Sequence, residues 1–222
     1  MRLEPLGDQA VMAYCEREAD ALALAQCCRG AAFDWMVDVV QAYTSVAVYY
    51  DLLRIDYHQA AAQIHTAVAA DPASEPVAGR LHVIPCCYEL GLDLARIAQY
   101  TGRSVDEVIA LHAATRYTVY AIGFCPGFPY LGYLPAPLLG VPRLDSPRLR
   151  VEAGSVGLTG RQTGIYTEER PGGWNIVGRT PLELVSVADG YFPLATGDQV
   201  QFERIGIAEF ERRRGERLES AG

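Results

Sequence analysis

The sequence contains no lysine, and all 19 of its basic residues are arginine. This absence excludes mechanisms that need an amino group on the chain itself, such as a Schiff-base lysine, a P-loop lysine on nucleotide phosphates or a lysine that carries biotin. The formal net charge of -8 argues against the basic surface that nucleic-acid binding requires. We therefore expect no nucleic-acid partner, and if ATP or a carboxyl carrier is involved, another chain must supply the groups that bind it.

Signals for a metal site, a disulfide framework or a membrane segment are missing as well. The six cysteines include two adjacent pairs and no C-x-x-C spacing, so we expect neither a zinc site nor secreted disulfides. No apolar run reaches the ~20 residues that span a bilayer. The N-terminus reads MRLEPLGD and lacks the apolar core of a signal peptide. We expect a cytoplasmic protein without a metal and without membrane association.

The first part of the chain alternates between strand and helix patterns. Residues 10–14 and 43–50 are predicted strands, and helices are predicted from Asp20 and from Asp56, where Gln59 completes a capping box. This order predicts half or more of a ferredoxin-like unit. Residues 71–79 show no periodicity, which is typical of a linker. We therefore expect an α+β protein with an N-terminal α/β domain at 1–76 and a second domain at 77–222.

The second part is predicted to be mostly short strands. A strand at 80–88 precedes two helices at 93–100 and 104–112, and a strand at 116–122 follows them. From residue 151 onward, short strands are predicted at 156–158, 164–166, 175–178, 182–187 and 199–202. A β-barrel is the natural way for such strands to avoid open edges. The charge-rich tail from Glu209 is expected to be an exposed end.

Residues 123–181 carry the candidate chemistry. Glycine and proline are dense in GFCPGFPYLG, in AGSVGLTGRQTGIY and in PGGWNIVGRTP, so this stretch is predicted to form turns and short strands. Aromatic and arginine side chains stand between the turns, which favours a pocket for a small planar or anionic ligand. The alternative is an ordinary β core with solvated arginines.

These motifs, in this order, resemble the B-subunit family of prokaryotic 5-oxoprolinase, and the resemblance covers the whole chain. That family includes the inhibitor of a sporulation histidine kinase and was long labelled allophanate hydrolase subunit 1. The resemblance implies a small N-terminal α/β domain followed by a cyclophilin-like β-barrel. It also implies a complex that hydrolyses 5-oxo-L-proline to L-glutamate at the expense of ATP, with the 5-oxoprolinase A-subunit and the homologous barrel protein, the C-subunit, as partners.

The resemblance also implies roles for individual residues. Arginines would hold a carboxylate or phosphate, neutral polar groups would contact an amide, and aromatic rings would form walls. A family histidine a few residues ahead of the tyrosine Tyr117 corresponds to His112, although a lone histidine on an apolar helical stripe is more often a satisfied core residue. The predicted catalytic residues are His112 and Arg179, and the predicted substrate-binding residues are Phe128, Tyr130, Arg143, Arg148, Ser155, Gln162, Thr163, Tyr166, Trp174 and Asn175.

The chain departs from the family pattern in two places. Residues 88–94 read YELGLDL where the family commonly has Y-G-G with G-P-D-L, and Glu152 stands where a proline is expected. Two other functions remain open from the sequence. One is a non-catalytic inhibitor of a sensor histidine kinase, and the other is a carboxyltransferase or allophanate hydrolase component that acts on urea-derived substrates. Because the signature shows no paired carboxylates, a site shared with a partner chain is expected.

Overall fold

The structure is a computed structural model that describes residues 1–70, 77 and 79–218. The chain divides into two compact units, Met1–Ala78 and Gly79–Gly222. The predicted linker at 71–79, with the domain boundary inside it, lies mostly outside the described residues. Both units combine mainly antiparallel strands with a few helices, so the α+β class is confirmed. Among the described residues, no helix has both the length and the apolar character needed to cross a bilayer.

The first unit is a four-stranded antiparallel sheet with two helices. The elements are β1 (Arg2–Leu6), β2 (Ala10–Tyr14), α1 (Glu18–Ala31), β3 (Met36–Ala42), β4 (Ser45–Tyr50) and α2 (Tyr57–Ala70). The sheet order is β1-β2-β4-β3. The predicted order of strand, helix, strand and helix corresponds to β2, α1, β4 and α2. The sequence gives no alternating apolar pattern for the other two strands, because β1 has no buried residue and the alternating buried residues of β3 are Val39 and the polar Gln41. The ferredoxin-like description stays a prediction.

Local sequence signals explain much of this unit. In β4, Val46, Val48 and Tyr50 alternate with other residues and are buried on one face, as a strand with one core-facing side requires. The predicted capping box is confirmed, because the Gln59 N–H donates to Asp56 Oδ1 at 2.9 Å and the Asp56 N–H donates to Gln59 Oε1 at 3.2 Å. The helices α1 and α2 then bury their apolar residues against the sheet.

The second unit contains the remaining strands and helices. The elements are β5 (Leu81–Cys86), α3 (Leu94–Thr101), α4 (Val105–Ala114), β6 (Arg116–Ile122), β7 (Pro129–Gly132), β8 (Arg148–Val151), β9 (Ser155–Thr159), β10 (Gln162–Ile165), β11 (Arg170–Gly172), β12 (Asn175–Arg179), β13 (Gln199–Arg204) and α5 (Ile207–Arg212). The sheet order is β5-β13-β6-β7-β10-β9-β12, and every pair is antiparallel except β5 with β13. Strands β8 and β11 form a separate pair.

The described strands of this unit do not close into a barrel, which corrects the prediction of a cyclophilin-like β-barrel. Strand β12 meets the end of β5 only in an isolated antiparallel bridge between Cys87 and Arg179. The ladder cannot continue, because the chain leaves β5 immediately afterwards in a 3-10 turn at Tyr88–Leu90. The two ends are nevertheless in close contact, since a Cβ at Gly178 would lie 2.6 Å from the Cys86 sulfur.

Two further predictions for this unit are wrong. Residues 182–187 are not a strand, although Leu182 and Leu184 are buried in alternation, because only isolated bridges at Glu183 and Ser186 pair this segment. The tail beyond residue 209 is not simply an exposed end either. It begins inside α5, where Phe210 is only 2% exposed and packs with Cys87 and Ile205. The ring of Phe210, together with backbone hydrogen bonds from Gly215 and to Glu216, attaches this charged segment to the second unit.

Candidate functional site

The signature stretch forms a cleft of about 230 Å³ in the second unit. Its walls come from the loop before β7, from the loop between the 3-10 turn at Ala136–Leu138 and β8, and from the turns around β11. Five of the predicted site residues meet there. The lining residues are Phe124, Phe128, Tyr130, Arg143, Pro147, Tyr166, Pro171, Gly172, Gly173 and Trp174.

The aromatic wall is a cluster of rings around Phe128. This ring makes edge-to-face contacts with Tyr130, Tyr166 and Trp174 at centroid distances of 4.9, 5.4 and 5.5 Å. Such geometry is the favoured one for aromatic pairs and holds each ring in a fixed orientation. The rings come together because β6, β7, β10, β9 and β12 are neighbours in one sheet. The wall is thus a product of strand order.

Phe124 is an aromatic residue of the signature that lies outside the predicted set of site residues. It packs edge-to-face on Phe128 at 5.4 Å and on Tyr166 at 6.3 Å, yet 61% of the residue is exposed. Its backbone φ of 69° lies in the left-handed region, which costs a non-glycine residue free energy. A large apolar side chain held at the mouth of a cleft by a strained backbone points to contact with a ligand or a partner.

Gly172 shows why the signature needs glycine at the cleft wall. A Cβ at this position would lie 2.2 Å from the hydroxyl oxygen of Tyr166, far inside van der Waals contact. The missing side chain therefore lets Tyr166 lie flat against the β11 turn. Burial raises the pKa of Tyr166 above its usual value, with smaller opposing effects from the Trp174 backbone and the nearby arginines. The phenol is neutral and offers a hydroxyl to the cleft region.

Arg143 is the charged residue of the cleft. Its side chain is exposed, and no carboxylate in the described part of the chain lies within ion-pair distance of it. Its positive charge is close enough to influence Tyr130, whose pKa is raised by burial and lowered to a smaller extent by Arg143. The Tyr130 hydroxyl also makes no hydrogen bond within the described residues. An unpaired guanidinium and a free phenol beside aromatic walls suit a small anion with a planar body.

The loop that carries Arg143 is anchored at three points. At its start, Asn175 Nδ2 donates to the Pro142 carbonyl at 2.9 Å, and in its middle the Leu144 N–H donates to the Gly173 carbonyl at 2.8 Å. At its end, Arg148 donates to Asp93 Oδ1 at 2.7 Å. None of these anchors uses the Arg143 guanidinium, so the backbone that carries it is held in place and the group itself is left available.

Asp93 is the residue that the sequence analysis missed. Besides Arg148 it binds β12 twice, because its Oδ2 accepts the Ile176 N–H at 2.7 Å and its own N–H donates to the Ile176 carbonyl at 3.0 Å. Arg96 lies in α3, the helix that begins directly after Asp93, and donates to Asn175 Oδ1 at 3.0 Å. Asp93 is the aspartate in the segment YELGLDL. Its partners Arg148 and Ile176 lie 55 and 83 residues later in the sequence, so local sequence patterns do not reveal these contacts.

Two of the three predicted arginine ligands are engaged elsewhere. Arg148 is part of a partly buried ion pair with Asp93. Arg179 donates from Nε to the Ala153 carbonyl at 2.9 Å, pairs with Glu152 and lies over the Phe210 ring. It lines a different cleft from the aromatic one. The structure therefore does not bring Arg148 or Arg179 into the aromatic cleft.

His112 lies in the core of the second unit and is fully buried. Its Nδ1 is 2.8 Å from the Tyr88 hydroxyl and its Nε2 is 3.0 Å from Thr163 Oγ1, which donates to the Gly157 carbonyl at 2.9 Å. Because that threonine proton is committed, Nε2 is the protonated nitrogen and Nδ1 accepts from the tyrosine. Burial lowers the pKa of His112 to about 3. The described contacts make it a neutral packing residue away from the cleft.

The remaining predicted residues are part of the sheet. Ser155 is buried in β9, opposite Arg179, and Gln162 lies in β10 opposite Thr159 and Gly132. Neither lines the aromatic cleft. The lining residues include no carboxylate and no imidazole, and the described part of the chain holds no cluster of three or more potential metal ligands. The cleft can bind and orient a ligand, but it offers no general base of its own.

Comparisons with known proteins agree on one family. Residues 1–190 match the family described as carboxyltransferase domain, subdomain C and D. The chain is 33% identical to the 5-oxoprolinase B-subunit of Bacillus subtilis (strain 168) over 228 residues, which covers 94% of this chain and 95% of that protein. This similarity therefore extends over both units.

Solved structures show the same fold within longer chains. The structure of TTHA0988 matches with a TM-score of 0.76 and 33% identity, covering 89% of this chain, which spans only 40% of the length of that one. The urea amidolyase of K. lactis matches with a TM-score of 0.70 over 95% of this chain and 15% of its own. At 18% identity, the second likeness shows the fold alone.

Proposed function

The chain belongs to the 5-oxoprolinase B-subunit family, and on this premise we propose that it is the B-subunit of a complex that hydrolyses 5-oxo-L-proline to L-glutamate at the expense of ATP. The observation that carries this proposal is the aromatic cleft with one unpaired guanidinium, Arg143. Its volume of about 230 Å³ is below the range of ~300–1,000 Å³ typical of drug-sized ligands. A small cyclic amino-acid derivative is a ligand of suitable size and charge.

In this proposal Arg143 binds the carboxylate of 5-oxoproline, because guanidinium and carboxylate form short, charge-assisted hydrogen bonds. The five-membered ring packs against Phe128 and Trp174. The free Tyr130 hydroxyl donates to the lactam oxygen, which needs a neutral donor. These contacts hold the amide in one orientation, which is the part of catalysis that a rigid cleft without acid or base groups can provide.

The remaining chemistry is assigned to partner chains. ATP, used by the complex, supplies the free energy for opening the lactam. The chain has no lysine and no P-loop for nucleotide phosphates, so we place ATP binding mainly on the A-subunit. Since the cleft is lined by neither carboxylate nor imidazole, a partner, either the C-subunit or the A-subunit, has to contribute the group that activates water. The exposed Phe124 ring at the cleft mouth is a suitable contact for such a partner.

The test is glutamate release from 5-oxoproline with ATP, measured for this chain alone and after mixing with purified A- and C-subunits. Activity is expected only in the mixture. The substitution Arg143→Gln should raise the KM for 5-oxoproline at least about tenfold, since a charged hydrogen bond contributes ~1.5–3 kcal/mol. The matched control is Arg150→Gln, an exposed arginine that pairs with Glu169 outside the cleft. Equal KM values for the two variants would contradict the role of Arg143.

A carboxyltransferase role on urea-derived substrates is the second candidate, and the description of the matching family favours it. Biotin would then be carried by another chain, because this chain has no lysine to hold it. A verified complex with the A- and C-subunits that releases no glutamate would shift the assignment to this role. It would be tested by carboxyl transfer from a carboxybiotin-bearing partner.

A further inference from the structure

A second polar cleft lies at the start of β5. It has a volume of about 300 Å³ and is formed by Arg80 and His82 on one side and by residues 190–193 on the other. It shares no lining residue with the aromatic cleft. No step of the proposed function uses it, so its chemistry has to be considered separately.

The imidazole of His82 is oriented by a buried carboxylate. Its Nε2 lies 3.0 Å from Asp198 Oδ2, and both side chains are 10% exposed. Asp198 also accepts the backbone N–H groups of Arg80 and Ala195, each at 2.9 Å. Burial alone would raise the pKa of Asp198, but these hydrogen bonds lower it below its usual value. Asp198 is therefore ionised and accepts three hydrogen bonds, from the His82 ring and from the backbone N–H groups of Arg80 and Ala195.

This arrangement leaves one ring nitrogen of His82 available. Because the ionised Asp198 needs a donor, the proton lies on Nε2, and Nδ1 is free to take part in other contacts. Nδ1 makes no hydrogen bond within the described residues.

Arg80 adds a permanent positive charge to the same cleft. It stands two residues before His82, and the Gln199 N–H donates to its carbonyl at 2.7 Å, which extends the ladder of β5 and β13 by one residue. In an extended chain, residues at i and i+2 point to the same face. The Arg80 guanidinium is exposed, and within the described residues no carboxylate pairs with it.

We propose that this cleft is a binding site for a small oxyanion, such as a phosphate or carboxylate group. Arg80 forms charge-assisted hydrogen bonds to the anion, and the His82 ring, which Asp198 holds through Nε2, forms the neighbouring wall of the site. The proposal is independent of the proposed function, because the two clefts share no residue and the site needs no catalytic partner.

The probe is inorganic phosphate, titrated into the full-length protein at constant pH and constant ionic strength. Binding is read from the imidazole carbon–proton NMR signals, which is practical because the chain has only four histidines. We expect saturable shifts of the His82 signals and none for the exposed His58 and His65. A parallel titration with acetate shows whether the site prefers phosphate or carboxylate.

Two arginine variants test the contact itself. Arg80→Gln should weaken the affinity for the preferred anion at least about tenfold. Arg103→Gln, which changes an exposed arginine outside this cleft, should leave the affinity unchanged. Arg80 is exposed, so loss of the fold is not expected, and circular dichroism checks this. The proposal is overturned if chloride shifts the His82 signals as strongly as phosphate does, if no anion shifts them, or if both variants bind equally.

Discussion

The buried His112 makes a sharp prediction about stability against pH. The folded chain keeps this imidazole neutral down to a pKa of about 3, whereas in the unfolded chain it titrates near 6.5. Between these values the unfolded state binds one more proton than the folded state, so acid favours unfolding. The contribution is fully present above about pH 6.5 and is lost as the pH falls towards 3. At ~1.4 kcal/mol per pKa unit, the loss amounts to about 5 kcal/mol.

The assay follows unfolding of the second unit alone. Trp35 belongs to the first unit and Trp174 to the second, so a Trp35→Phe background makes Trp174 fluorescence specific for the second unit. Urea unfolding is measured at several pH values for this background and for the added substitution His112→Gln. Glutamine keeps a donor and an acceptor but does not titrate, so the slope of about 1.4 kcal/mol per pH unit should disappear from the difference.

The matched control is His58→Gln, because His58 is exposed on α2 of the first unit. It should leave the pH dependence of the second unit unchanged. The reasoning would be refuted if the His112→Gln variant kept the full slope, or if an NMR titration of the native protein gave His112 an ordinary pKa near 6.5. A large loss of glutamate release in a stably folded His112→Gln complex would in turn support the catalytic role predicted from the family resemblance.

Two more substitutions test the packing around the aromatic cleft, and a third tests the anchor of α5. Asp93→Asn should lower the free energy of unfolding by about 3 kcal/mol in urea titrations, because it leaves a partly buried arginine without its carboxylate; an unchanged midpoint would contradict this. Gly172→Ala should reduce binding of 5-oxoproline, measured by calorimetry, since the new Cβ would collide with the Tyr166 hydroxyl; unaltered binding would show that the turn gives way. Phe210→Ala should lower the free energy of unfolding by about 3–5 kcal/mol, and an essentially unchanged thermal midpoint would show that α5 is not anchored by this ring.

Much of the aromatic cleft could be predicted from the sequence. The spacing of glycine and proline in residues 123–181 indicates turns, and the aromatic residues between them are expected to form walls. Phe128, Tyr130, Tyr166 and Trp174 do line one cleft. Tyr130 lies in β7, and the other three rings lie directly beside the ends of β7, β10 and β12, so the sheet that holds these strands brings the rings together.

The roles of the arginines could not be predicted in the same way. Arg143, Arg148 and Arg179 follow similar turn residues, and only their distant partners distinguish them. Asp93 lies 55 residues before Arg148, and Glu152 lies 27 residues before Arg179. An ion pair at such separation depends on tertiary structure, which no local pattern encodes. For the same reason, the spacing of residues along the sequence could not predict that His112 is hydrogen-bonded between Tyr88 and Thr163.

In this cleft, the residue proposed to bind the ligand is different from the residues that hold its loop in place, and substitutions can distinguish the two. Arg143 contacts no described carboxylate, so its removal should change ligand affinity with little effect on stability. Asp93 and Asn175 hold the loop around Arg143 from buried positions, so their removal should lower stability and affinity together. A variant that loses affinity alone therefore identifies a ligand contact, and a variant that loses both identifies an anchor. If Arg143→Gln fell into the second group, its guanidinium would have a structural partner, and the cleft would need a different anchor for a carboxylate.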